Sequence, residues 1–155
     1  MFLTLVLILG CSLDSYSQES NEIKLIKDFY KALYINNINP EEIVSQYIKY
    51  SDADQYKKGT SMIIDFRNFA KEENGNFFLL KKDVVENNFS ISSYNSFNEI
   101  DKAKFNNLEE KKRENVFKVD LKHSIPQYIL IENDKIVSFF GFQKASSNDY
   151  TFIVF

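Results

Sequence analysis

His123 is the single histidine of the 155-residue chain, and Asp120 precedes it by three residues in VDLKHSIPQY. An imidazole oriented by a carboxylate is the simplest general base near neutral pH. In an unbroken strand, positions 120 and 123 face opposite sides, so the two meet only if the chain turns near Lys122. His123 and Asp120 are therefore the candidate catalytic residues. The plainer expectation is that His123 is a surface residue at a strand end.

Asp52 and Asp54 alternate in SDADQY. A hard cation such as calcium takes about six to eight oxygens, and the glycine and distal glutamate of a helix-loop-helix calcium site are missing here. A solvated loop is the expectation, with no metal. Glu72-Glu73 and Glu109-Glu110 lie next to lysines, as on solvated helix faces. The chain has no Ser-His-Asp order, no glycine-rich phosphate loop and no His/Cys cluster, so no cofactor is expected. Aromatic residues make up 15%, all Phe and Tyr. Most read as core. Phe29, Tyr30, Phe66, Tyr128 and Phe140 are the candidates to line an apolar pocket, with Tyr hydroxyls as polar anchors.

The chain opens MFLTLVLILGCSLDSYSQES. Phe2 to Leu9 is apolar apart from Thr4, too short to span a bilayer at about 20 residues but long enough for the core of an export signal. Two cleavage points compete. Ile8-Leu9-Gly10-Cys11 resembles the bacterial lipobox, with Cys11 as the lipid-attachment residue, although Leu9 is bulkier than the small residue usual there. Ser15-Tyr16-Ser17 is a small-x-small triplet, and cleavage after Ser17 discards Cys11. Residues 1–17 are therefore expected to be an export signal and 18–155 a single domain. Cys11 is the only cysteine, so the mature domain forms no internal disulfide. Acylation of Cys11 would anchor it to a membrane at roughly 0.8 kcal/mol per buried methylene.

The net charge is −3, and the basic residues are scattered in short clusters such as Lys111-Lys112-Arg113. Nucleic-acid binding needs a concentrated basic footprint, so that class is set aside.

The elements that must position these residues follow from periodicity. Ile23, Ile26, Phe29, Tyr30, Leu33 and Tyr34 recur at helical steps and predict a helix over 21–36, capped by Ser20 or Asn21. Asn39-Pro40-Glu41-Glu42 starts a second helix, with Ile43, Val44, Tyr47 and Ile48 as its apolar face, ending at Lys49 or Tyr50. Met62, Ile63, Phe66, Phe69 and Ala70 predict a third over 61–73. Phe77 to Leu80 reads as a short strand. Residues 83–98 read as strand fragments or a broken helix, and 101–113 as a solvent-facing helix or long loop. Strands are expected from Val116 to Leu121, Tyr128 to Ile131, Ile136 to Phe142 and Tyr150 to Phe155, with a turn at Glu132 to Lys135. Phe155 is expected in the core. Apolar residues on both faces of Ser138 to Phe142 call for cover on two sides or a partner.

The result is an α+β chain: amino-terminal helices on a curved antiparallel sheet of three to five strands, with helices on one face. This order resembles the NTF2-like (cystatin-like) superfamily, above all its small exported bacterial members. The resemblance implies a cone between helices and sheet that often holds a ligand. It transfers no site residue, because no family motif aligns here, and fold alone assigns no activity.

The functional expectation is a non-catalytic binding or structural domain, secreted or held at the bacterial envelope. Its partner would be another protein, a small apolar ligand or a second copy in a homodimer. The alternative is a small-molecule enzyme with a cone-shaped pocket. An immunity or inhibitor protein is a third class, and it would need a large exposed apolar or acidic patch.

Overall fold

The computed structural model describes residues 19–143, 145 and 147–154. The expected export signal, Cys11 and Phe155 lie outside the described residues. Helix α1 (Asn21–Tyr34) begins where Ser20 Oγ accepts the Ile23 N–H at 3.3 Å. Helix α2 (Pro40–Tyr47) begins where Asn39 accepts the Glu41 N–H at 2.9 Å, with Pro40 in the first turn.

Helix α3 (Ala53–Phe69) starts earlier than the expected Ser61. The cause is Asp52, whose Oδ1 accepts the N–H groups of Asp54 and Gln55 at 3.0 and 2.8 Å. Its Oδ2 takes the Ser51 hydroxyl at 3.3 Å. SDADQY is thus a helix cap in place of a free loop. Phe69, expected on the apolar stripe, is half exposed and tilts against Phe77.

The strand expected at Phe77 to Leu80 is instead part of helix α4 (Asn76–Val85). Leu80, Asp83 and Val84 are its buried residues, at helical three- and four-residue spacing. Phe77 packs edge-on against Phe66, 4.7 Å between ring centres. Four apolar residues in a row satisfy either geometry, and packing against α3 favours the helix.

The main sheet has four antiparallel strands in sequence order: β1 (Phe89–Ser93), β2 (Val116–Leu121), β3 (Gln127–Glu132) and β4 (Lys135–Ser138). The β3–β4 turn holds Asn133 and Asp134 at φ 51° and 57°, the left-handed pair that a two-residue hairpin requires. The single strand expected from Ile136 to Phe142 is split. Ser138 is fully buried and its hydroxyl donates to the Phe140 carbonyl at 2.8 Å, while Phe139 turns into the helical core. The chain then resumes as β5 (Gly141–Gln143), paired with β6 (Tyr150–Phe152) in a separate two-stranded sheet.

Both faces of the main sheet are covered, which corrects the expectation of helices on one side alone. Phe117, Val119, Ile129, Ile131 and Ile136 face α1 to α4, in a core centred on Phe29, Phe66 and Phe139. Phe29 and Phe66 sit 4.9 and 5.1 Å from Phe139. The opposite side chains, Val116, Tyr128, Leu130 and Val137, pack with Phe97, Phe105 and Tyr150. Those residues come from the hairpin and from the charged stretch between β1 and β2. That stretch folds as a 3-10 turn (Tyr94–Ser96), α5 (Glu99–Ala103) and α6 (Glu110–Arg113). Phe105 is fully buried, so the stretch is a second covering layer and not a solvated loop.

Candidate functional site

A cleft of about 500 Å³ opens where α4, the β2–β3 loop and the β5–β6 hairpin meet. Phe77, Leu80, Tyr128 and Phe140 form apolar wall, and Ile125 and Phe142 stand at 58% and 45% exposure among its lining residues. Large apolar side chains left in solvent around a concavity are a feature of ligand clefts. A second cleft of about 450 Å³ is lined by Tyr50, Leu130, Val137 and Phe152. Tyr150 is a wall of both. Charged rim residues of the second cleft are already joined, with Lys49 Nζ 2.7 Å from Glu132. The first cleft meets a buried polar cluster, and that cluster gives it chemistry.

The cluster centres on Asp101, the N-terminal part of α5. Its Oδ1 accepts Lys104 Nζ and the Tyr128 hydroxyl, each at 2.7 Å, and its Oδ2 accepts Lys118 Nζ at 2.9 Å. Lys104 Nζ also donates to the Tyr128 oxygen at 2.7 Å, and Lys118 reaches Asp120 Oδ1 at 2.8 Å. Sheet register places Lys118 opposite Tyr128. Burial alone would raise the Asp101 pKa, but the hydrogen bonds from Lys104, Lys118 and Tyr128 prevail and hold the carboxyl well below its ordinary value. Burial, then the hydrogen bond and charge of Asp101, push the Tyr128 hydroxyl far above its own. Tyr150 is pushed up by burial to about 12. Lys104 and Tyr128 both line the cleft. An ammonium has three N–H donors, and two are committed among the described residues, which leaves one for a ligand's acceptor.

Of the residues singled out in the sequence, Tyr128 and Phe140 line this cleft. Phe29, Tyr30 and Phe66 lie in the helical core at 0%, 2% and 5% exposure. His123 and Asp120 do not meet each other in a pair: Asp120 bonds Lys118, and His123 bonds Asp83 of α4. Asp83 is fully buried. It accepts the His123 backbone N–H at 2.8 Å and faces ring Nδ1 at 2.5 Å. Burial would raise Asp83, but the His123 backbone and ring and the Ser124 N–H outweigh it and lower the carboxyl pKa.

Asp83, Asp101, Lys104 and Lys118 were not singled out in the sequence. Asp83 carried a readable signal, since it interrupts the helical stripe Leu80-Asp83-Val84. Lys118 and Asp120 share one face of a strand at a two-residue step. Asp101 gave none beyond a lysine three residues on, because its other partners, Lys118 and Tyr128, come from β2 and β3.

Among the described residues, no three His, Cys, Asp or Glu side chains gather to hold a metal ion, and no helix is long and apolar enough to cross a membrane. The chain matches no known family model, and no curated protein or solved structure is significantly similar to it.

Proposed function

We propose that the domain is a non-catalytic binding module, secreted or lipid-anchored through Cys11 at the bacterial envelope, that holds a small apolar ligand in the Tyr128–Phe140 cleft. The observation that supports it is the cleft: apolar walls, exposed Ile125 and Phe142 among its lining, and one uncommitted Lys104 donor. The order of helices then sheet, which resembles the NTF2-like superfamily, agrees with a ligand-holding domain.

The test is titration of the purified full chain with a fluorescent fatty-acid probe. Saturable binding is expected, weakened about tenfold by Ile125→Asp or Phe142→Asp, each a charge among the apolar lining residues. Both positions are solvent-exposed, so unchanged circular dichroism is expected alongside. Absence of saturable binding, or equal binding by both variants, overturns the reading. Intact mass from the native host tests the address separately: a chain starting at Cys11 with added acyl mass is expected.

The Asp83–His123 pair favours a second reading, an enzyme. A carboxylate at Nδ1 leaves Nε2 as the acceptor in the neutral ring. That reading requires a turnover lost in His123→Ala, whereas the binding module predicts that probe affinity is unchanged in that variant.

A further inference from the structure

A separate concavity of about 300 Å³ lies where the C-terminal ends of α1 and α3 meet the side of α4. Its lining includes Tyr34 and Asn37 from the end of α1, Arg67 and Lys71 from the end of α3 and Lys81 from α4, and no Asp or Glu. Arg67 is explained by the fold, since Nε and Nη2 donate to the carbonyls of Leu33 and Ala32 at 2.8 and 2.9 Å. Those bonds close the α1 terminus and leave further guanidinium donors unused. Lys71 and Lys81 are not explained in this way. Lys71 touches only the side-chain amide oxygen of Asn68, at 3.0 Å, and neither lysine has a carboxylate partner among the described residues.

The second observation is independent of charge. The Tyr34 hydroxyl is buried and bonds to nothing among the described residues. A buried hydroxyl without a partner carries a desolvation cost, so such groups are rare. Tyr34 lines the concavity, and an acceptor that displaces the side chains covering the hydroxyl would supply that partner.

We propose that this concavity binds a phosphomonoester-type dianion, with Arg67, Lys71 and Lys81 supplying the charge and the Tyr34 hydroxyl a hydrogen bond. Three cations with no carboxylate in the lining outweigh the carbonyl ends of α1 and α3 and fit two negative charges, and every polar side chain named in the lining can donate. The anion is either free phosphate or the headgroup of an anionic lipid.

The test is calorimetric titration of the full chain with inorganic phosphate at fixed ionic strength. Saturation below about 10 mM is expected, with Lys71→Gln, Lys81→Gln and Tyr34→Phe each weaker by roughly threefold or more. Tyr34→Phe should leave thermal stability without phosphate equal or higher, because the deleted hydroxyl bonds to nothing among the described residues. Sedimentation with phosphatidic-acid vesicles, against phosphatidylcholine vesicles, separates the sources. Selective retention assigns a lipid headgroup, and phosphate binding without retention assigns a free anion. No saturation in either arm, or a Lys71→Gln/Lys81→Gln double variant that binds as well as the parent, overturns the site.

Discussion

Asp83 grips His123 at two points, the backbone N–H at 2.8 Å and ring Nδ1 at 2.5 Å. One partner is in the last turn of α4 and the other in the loop after β2, forty residues on. The contact fastens that loop to α4, and Ser124 adds a bond to the Asn76 carbonyl at 3.1 Å. Asn76 and Ile125 both line the cleft. A buried carboxylate is costly in an apolar helix face unless it is bonded in this way. The backbone bond, which does not depend on the imidazole, therefore holds the loop beside the cleft, whatever its ligand.

Asp83→Ala should lower stability by about 3 kcal/mol at pH 7, because it leaves the His123 N–H without its charged acceptor. Urea unfolding measures the loss. The sign with pH follows from the lowered Asp83 pKa. The contribution is fully present above the unfolded carboxyl value of about 4 and disappears as pH falls through the lower folded value. Parent and variant should converge under acid. A gap that stays constant down to about pH 2 contradicts a role for the Asp83 charge.

Asp101→Asn should cost about 3–5 kcal/mol, since Lys104 and Lys118 would lose the charge that they share in a buried position. The linkage has the same sign as for Asp83, because the Asp101 pKa is also lowered. A second readout is specific to the network. Tyr128 is raised by burial first and then by Asp101. A double-mutant cycle of Asp101→Asn with Tyr128→Phe should therefore show a coupling energy of about 0.5 kcal/mol or more. Additive losses contradict the coupling.

Helical periodicity made α1 and α2 readable, because Ser20 and Asn39 cap runs whose apolar residues all face one core. The strands β2 and β3 and their turns were readable for the same local reason. Most of what could not be read was decided by distant contacts. Phe77 to Leu80 satisfied both periods until α3 supplied a surface. Ala53 to Thr60 lacks an apolar stripe, so the capping by Asp52 alone marked the true start of α3. The charged stretch after β1 concealed Phe105, whose ring lies 5.0 Å from Tyr128. Asp101 appeared as one charge among many, although it is the residue on which two lysines and a tyrosine converge.

The β3–β4 turn offers a change in the opposite direction. Asp134 holds φ 57° in a two-residue hairpin, following Asn133 at 51°. Glycine adopts that conformation without steric cost, and Asn-Gly is the favoured pair. Asp134→Gly should stabilise the domain by roughly 0.5 kcal/mol, the left-handed strain being partly offset by greater freedom of the unfolded chain. A fall in thermal midpoint contradicts this account of the turn.

Gly141 opens the β5–β6 hairpin where it has no room for a side chain. A methyl group there would stand 2.4 Å from the Thr151 carbonyl oxygen and 2.5 Å from the Tyr150 ring. The first contact is backbone, so it cannot be relieved by rotating a side chain. Gly141→Ala should therefore force β5 and β6 apart and cost about 1–3 kcal/mol. Tyr150 must move as well, and it lines both clefts. The variant should weaken the fatty-acid probe by more than its loss of stability explains at temperatures where it remains folded. A mutant of reduced midpoint but parental probe affinity would place the binding surface away from the hairpin. Equal stability would show instead that the two strands sit farther apart than 2.4 Å implies.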